Sequence, residues 1–289
     1  MQINKNIFIV TVIILILGFL YFVLFSSRIS FHDTHEYITV TKELAGINNV
    51  RVHSGHSYLY PFIMSFFVKI FPSIITIKFI NFFWLFLTGL LLYFHSRNKK
   101  MLLLWGLSPV VWYMSIQISP ILPTAFFFTL GYILFKIYQK QNSRKHLIFS
   151  ALSFGVCLSL YEPALILVGL FFVIFFYDRI FKDALLFLLF IIPTFLLRLI
   201  LDYYLFEFPL YSWIRYMGNN ILILAGRSFD IPTAYATYVL VVLLFISPLL
   251  FYLYKTKLKE NIKEILFLSI LFIFFMLRGG EPGKQYSIF

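Results

Sequence analysis

Charge is what this sequence has least of. Asp, Glu, Lys and Arg make up only 12% of its 289 residues, while 61% are apolar and 38 are Phe. A soluble domain is roughly a quarter charged. So few charges cannot cover so much apolar surface in water, which excludes a cytosolic enzyme, a disordered chain and a nucleic-acid-binding domain, despite a net charge of +12. Cysteine is nearly absent too. Cys157 stands alone in an apolar run, so no intrachain disulfide framework exists. The zincin pattern His-Glu-x-x-His is missing, and no internal repeat is visible. What remains is a polytopic membrane protein.

A helix needs about 20 apolar residues to cross the hydrocarbon core. Residues 7–25 form the first such run, and Ser26-Ser27-Arg28 is a poor cleavage site, so it reads as an uncleaved span. Residues 58–71 are apolar but short and end at Pro72, which suits an interfacial or re-entrant helix. Further spans are expected at 74–94, 101–118, 120–138, 147–161, 163–177, 184–202, 233–254 and 265–278, although 147–177 also reads as one long bent helix. The expectation is an all-α, polytopic transmembrane bundle of about nine spans, forming one domain over 1–289 with the N-terminus inside.

Basic residues on such a chain report topology first. With Lys5 inside, the alternation of spans makes four basic loops cytoplasmic. They hold Arg97, Lys99 and Lys100; Lys140, Arg144 and Lys145; Arg179 and Lys182; and Lys255, Lys257, Lys259 and Lys263. Eight of the twelve acids then fall on or near the other side. That side comprises a long first external loop (26–73), a second (203–232) and the tail from Arg278. The inner loops are short, so the chemistry is expected outside.

The first external loop reads Ser30-Phe-His-Asp-Thr-His-Glu-Tyr37, then a helical stretch to Leu44-Ala45-Gly46, then Arg51-Val-His-Ser-Gly-His-Ser-Tyr-Leu-Tyr-Pro61. Asp33, Glu36 and Tyr37 share one helical face. An ordinary role makes Asp33 an N-cap with Glu36 as its capping-box partner. A catalytic role gains weight because the acids sit at the exit of the first span and precede a membrane-hugging segment.

This order resembles the start of the GT-C integral-membrane glycosyltransferases, in the protein O-mannosyltransferase and aminoarabinose-transferase group. It runs from a first span through Asp33 with Glu36-Tyr37 and a short helix ending in Leu-Ala-Gly to Gly55-His-Ser-Tyr-Leu-Tyr-Pro61, then an apolar segment and a long span. Leu107-Ser108-Pro109 is similar to the Leu-Ser-Pro that opens a later span there. The resemblance covers roughly the first 140 residues and implies that Asp33 is the catalytic base, with Tyr60-Pro61 opening the interfacial helix. Relatives carry a second acid before a Phe-rich helix. Here the stretch from Ser115 to Phe126 has none, only Gln117 and Ser119, which argues against a paired-acid mechanism. Where relatives have an external Arg-Tyr motif, this chain has Gly283-Lys-Gln-Tyr286; the resemblance then implies either that Lys284 takes the phosphate-binding part or that the chain is a short or degraded member.

Such an enzyme moves a sugar from a polyprenyl-phosphate donor to an acceptor glycan, lipid or protein at the outer face. Asp33 would accept the acceptor's proton, with Glu36 assisting. Direct attack inverts the anomeric carbon and needs no second carboxylate as nucleophile. The leaving phosphate calls for cations. The external or border ones are Arg28, Arg51, Arg198, Arg215, Arg227, Arg278 and Lys284, with Arg215 and Arg278 best placed. Any single one also reads as a snorkelling interfacial residue. Tyr37, His53, His56, Tyr60 and Glu162 complete the expected substrate-binding set. Glu162 precedes Pro163 between two apolar runs and faces the site only if the chain turns there.

His32 and His35 are weak metal ligands, and a divalent cation is the one cofactor this loop invites. Three alternatives stand beside transfer: a transporter or flippase for a lipid-linked or small solute, a metal-dependent membrane hydrolase using the His/Asp/Glu loop, and a non-catalytic scaffold. Richness in Phe, Ile and Lys hints at a prokaryotic cell membrane. The topology has a direct check. A single cysteine at position 33 should react with an impermeant thiol reagent on intact cells, and one at position 142 only after permeabilisation. Labelling of 142 but not 33 on intact cells would reverse the orientation.

Overall fold

The computed structural model of the chain describes residues 32–48, 56–98, 118–165 and 181–225, with isolated positions within 9–25, 102–111 and 168–169. Among the described residues every regular element is an α-helix. They are α1 (His32–Leu44), α2 (Leu59–Ile70), α3 (Ile74–Ser96), α4 (Ile121–Gln141), α5 (Arg144–Leu160), α6 (Phe181–Phe206) and α7 (Tyr211–Ala225). Three of them, α3, α4 and α6, are long and apolar enough to cross a membrane. The spans expected at 233–254 and 265–278 lie outside the described residues.

Local chemistry explains the boundaries. The Ser57 hydroxyl accepts the Leu59 N–H at 3.2 Å at the entry of α2. That helix stops at Ile70, with Phe71 extended ahead of Pro72, because proline disfavours the helical conformation of the residue before it. Ser73 then caps α3, its side chain accepting the Ile75 N–H at 3.2 Å. Asn142 closes α4 in the left-handed conformation (φ 51°), which asparagine tolerates better than most residues. Only Asn142 and Ser143 separate α4 from α5, so the two helices form a tight antiparallel pair.

Between the alternatives for 147–177, the chain breaks. Helix α5 ends at Leu160, Tyr161 is extended (φ −148°, ψ 115°), and Glu162 and Pro163 form a turn before helix resumes at Ala164. Within the segment 203–232, α6 runs on to Phe206, and after a turn at 207–210 the helix α7 begins; residues 226–232 lie outside the described residues. Helix α7 mixes Ser212, Arg215, Asn219 and Asn220 with apolar residues, so it carries no long apolar run.

Contacts fix the relative directions. The Tyr138 hydroxyl donates to the Asp183 carboxylate, joining the end of α4 to the start of α6. The Ser159 hydroxyl donates to the Thr194 carbonyl at 2.7 Å, so α5 and α6 approach at their C-terminal halves and run parallel. Tyr60 on α2 hydrogen-bonds Asn81 in the first turns of α3 at 2.8 Å. One end of the bundle therefore carries Lys140, Arg144, Lys145 and Lys182, and the other Glu162, Arg198 and Asp202.

Helix α6 has opposed faces. Leu185 and Ile200 are 69% and 63% exposed, while Arg198 and Asp202 are wholly buried. Apolar side chains outward and ionisable ones inward is the pattern expected with lipid as the solvent. The opposing core contains Phe135, Leu147, Ala151, Phe154, Phe187 and Ile191. Small residues let the backbones close in. The Ser150 hydroxyl donates to the Gly131 carbonyl at 2.7 Å, and Gly155 lies against α6.

A Cβ on Gly155 would sit 1.8 Å from Thr194 Oγ1 and 2.8 Å from the Ile191 carbonyl oxygen. Gly155→Ala should therefore force the α5–α6 crossing apart and cost about 1–3 kcal/mol in thermal unfolding of the purified protein. Gly131→Ala should cost less, since the atoms nearest its new Cβ belong to the Phe154 ring, at 3.1–3.2 Å, and that ring can tilt. Equal losses would contradict this packing.

Candidate functional site

A polar cluster sits where the C-terminal halves of α5 and α6 meet the start of α7. Glu162, on the turn after α5, is 2% exposed, and Arg198, Asp202 and Ser212 are wholly buried. Charges in such a place need partners, and the sequence brings them together from three elements. Arg198 and Asp202 lie one turn apart on α6, on the same face. The 207–210 turn folds α7 back so that Ser212 lies between them.

The hydrogen bonds are specific. Arg198 Nη2 donates to Glu162 Oε1 and to Ser212 Oγ at 2.7 Å, and Arg198 Nε donates to Ser212 Oγ at 2.9 Å. Ser212 Oγ in turn donates to Asp202 Oδ2 at 2.6 Å. The backbone N–H of Ser212 reaches the same oxygen at 2.9 Å. Asp202 thus acts as a capping carboxylate for the first turn of α7, supplied from another helix. The guanidinium carbon of Arg198 lies 4.8 Å from the centre of the Trp213 ring, a cation–π contact that holds it in place.

Three buried polar atoms of this cluster have no hydrogen-bond partner among the described residues: Glu162 Oε2, Arg198 Nη1 and Asp202 Oδ1. Buried polar atoms in native proteins are nearly always paired. Unfilled donors and acceptors side by side are what a site for a polar ligand would offer.

His56 leads outward from the cluster. Its Nδ1 is 3.7 Å from Glu162 Oε2, and its side chain is 21% exposed. That separation is too long for a direct hydrogen bond but short for an ion pair. Burial tends to raise the Glu162 pKa, but the contact with His56 and the charge of Arg198 prevail and hold the carboxyl below its ordinary range. The His56 ring centre lies 5.8 Å from that of Tyr37 on α1 and 5.9 Å from that of Tyr216 on α7. Tyr37 meets the Tyr60 ring edge-on at 5.6 Å, and Tyr60 is anchored on Asn81.

Of the residues singled out from sequence, Tyr37, His56, Tyr60 and Glu162 come together here. Asp33 and Glu36 fall in the first two turns of α1, so Asp33 precedes Tyr37 by one helical turn. The side chains of His32 and Asp33 lie outside the described residues, as do His53, Arg278 and Lys284. Glu36 is half-buried on α1. His35 is exposed, and among the described residues no group of three or more His, Cys, Asp or Glu could hold a metal ion. Arg215 is exposed on α7, donating to the Tyr211 hydroxyl at 2.9 Å, and does not enter the cluster.

Sequence reasoning missed the centre of the site. Arg198 counted only as one border cation, and neither Asp202 nor Ser212 was singled out. The available signal was Arg198-x-x-x-Asp202 inside an otherwise apolar helix, since ionisable residues within a span mark function by default.

An open apolar groove of about 650 Å³ borders the cluster among the described residues, lined by Leu158, Ile191, Phe195, Trp213, Ile214 and Met217 among others. Trp213 has one face toward Arg198 and belongs to this lining as well, so an apolar wall adjoins a charged centre.

Arg198→Met should leave Glu162 and Asp202 buried without their cation and cost about 3–5 kcal/mol of stability. Arg215→Ala, at an exposed position, should stay within about 0.5 kcal/mol of wild type. Denaturant or thermal unfolding of the two variants gives the comparison, and similar losses would mean that the Arg198 cluster is not structural.

Comparison of the chain with protein-family models, with curated proteins and with solved structures found no match.

Proposed function

We propose that this chain is an integral-membrane glycosyltransferase of the GT-C type, transferring a sugar from a polyprenyl-phosphate donor to an acceptor at the outer membrane face with inversion. The observation that carries this reading is a convergence. Tyr37, His56 and Glu162 come from three separate stretches of sequence and meet at one end of the bundle. Asp33 lies one helical turn before Tyr37, at the same end. In this reading Asp33 accepts the proton of the acceptor hydroxyl or amine as it attacks the anomeric carbon. The phosphate leaves with its bonding electrons and is stabilised by cations at the membrane border. Arg278 and Lys284 remain candidates for that task. Tyr37, Tyr60 and His56 would position sugar or acceptor, with Glu36 assisting Asp33. The apolar lining beside Trp213 has the chemistry to meet hydrocarbon.

A transport reading has one observation in its favour. Arg198 and Asp202 are buried in a membrane-length helix, as residues along a solute pathway often are. The two readings differ in chemistry. Transfer releases polyprenyl phosphate and makes a glycosidic bond, whereas a flippase moves its substrate unchanged.

The purified protein, supplied with polyprenyl-phosphate sugars and candidate acceptors, should release polyprenyl phosphate. Asp33→Asn should lower that rate by about 10²-fold or more. Full activity in the Asn variant would remove Asp33 as the base, and movement of intact donor across vesicles without release would favour transport.

A further inference from the structure

Among the described residues, the cluster behind His56 has an uneven charge count. Glu162 and Asp202 contribute two carboxylates and Arg198 one guanidinium, and all three are at most 2% exposed. Fully ionised, the group carries one net negative charge in a site shielded from water. An uncompensated buried charge is costly, and the usual remedy is a proton or a neighbouring cation.

The neighbour that fits is His56. One carboxylate oxygen of Glu162 is taken by Arg198, while the other, Oε2, faces His56 Nδ1 at 3.7 Å. The imidazole lies between two aromatic rings, those of Tyr37 and Tyr216, with centres 5.8 and 5.9 Å away. At such separations a cation gains from the ring quadrupoles and a neutral ring gains less. The charged and titratable groups next to these partners, among the described residues, are as follows. Arg198 stands beyond Glu162 and Asp202 beyond Ser212. Glu36 is the neighbour of Tyr37 on α1, the Tyr60 hydroxyl is bonded to Asn81, and Arg215 is bonded to Tyr211.

We propose that His56 is held as the imidazolium by Glu162, and that the pair is a pH-operated latch fastening the end of the first loop to the α5–α6–α7 end of the bundle. His56 immediately precedes Ser57, whose hydroxyl donates to the Ser159 carbonyl at 2.6 Å, and α2 begins two residues later. Loss of the proton removes the ionic half of this fastening and leaves the serine bond. The latch stands on the charge count and geometry of the cluster and does not depend on the transfer reaction. Its sign is fixed. A histidine that gains a carboxylate partner on folding adds stability that is fully present below its unfolded pKa, about 6.5, and is lost as pH rises through its folded value.

The test is NMR of the full chain in lipid nanodiscs with ¹⁵N-labelled histidine. The His56 signal is assigned by its disappearance in His56→Gln. At pH 7.5 the wild-type His56 should show the imidazolium pattern, and in Glu162→Gln it should shift to the neutral pattern at the same pH. A neutral His56 in the wild type at pH 7.5 overturns the proposal and puts the balancing proton elsewhere, on Asp202 for example. An unchanged His56 signal in Glu162→Gln overturns it as well. If that variant cannot be purified, melting curves decide. From pH 5.5 to 8.5 the wild type should lose several degrees of Tm relative to His56→Gln, and parallel curves contradict the latch.

Discussion

The contact between Glu162 and Arg198 sets the terms for the rest of the described structure. Two full charges are buried where the C-terminal halves of α5 and α6 meet. Desolvation makes such a pair a weak source of stability, and often a net cost compared with apolar packing. Losing one partner, by contrast, is severe. The surrounding chain is therefore organised to keep the pair intact. The break at Tyr161–Pro163 delivers Glu162 sideways from the end of α5. The 207–210 turn returns α7 so that Ser212 bridges Arg198 and Asp202, and Trp213 covers the guanidinium.

Packing elsewhere serves the same geometry. Gly155 and Ser159 on α5 let α6 approach until side chain and backbone touch, which sets the level at which Arg198 meets Glu162. Dispersion and hydrogen bonding drive such close crossings in lipid, where the hydrophobic effect offers little between helices. The outward face of α6 is aliphatic, as suits a face turned toward lipid tails. The network leaves three buried atoms unpartnered among the described residues and opens toward a half-buried histidine, features that a site for a polar ligand would have.

Much of the helical framework was legible in the sequence. The expected segments at 58–71, 74–94, 120–138, 147–161 and 184–202 match α2, α3, α4, α5 and α6 within a few residues, because long apolar runs and Pro72 mark them plainly. Helix α7 was not legible. Its serine, arginine and asparagines look like a loop, and only its docking on α6 makes it a helix worth forming. The site divides the same way. Tyr37, His56, Tyr60 and Glu162 stood out as polar or aromatic residues near a presumed membrane border. Arg198 and Ser212 did not, since their roles depend on partners 36 and 14 positions from Arg198, and no local pattern encodes such pairings.

The central claim is that the Glu162–Arg198 pair is kept for the site and not for stability. The most direct measurement is the rate of sugar transfer from a polyprenyl-phosphate donor by the triple variant Glu162→Leu/Arg198→Met/Asp202→Asn, compared with wild type. Removing all three charges together leaves no orphaned ion, and the Asn oxygen can still accept from Ser212. The account predicts a variant that folds with near wild-type stability at pH 8.5 yet transfers no sugar where the wild type does. Wild-type turnover by the folded triple variant would contradict it.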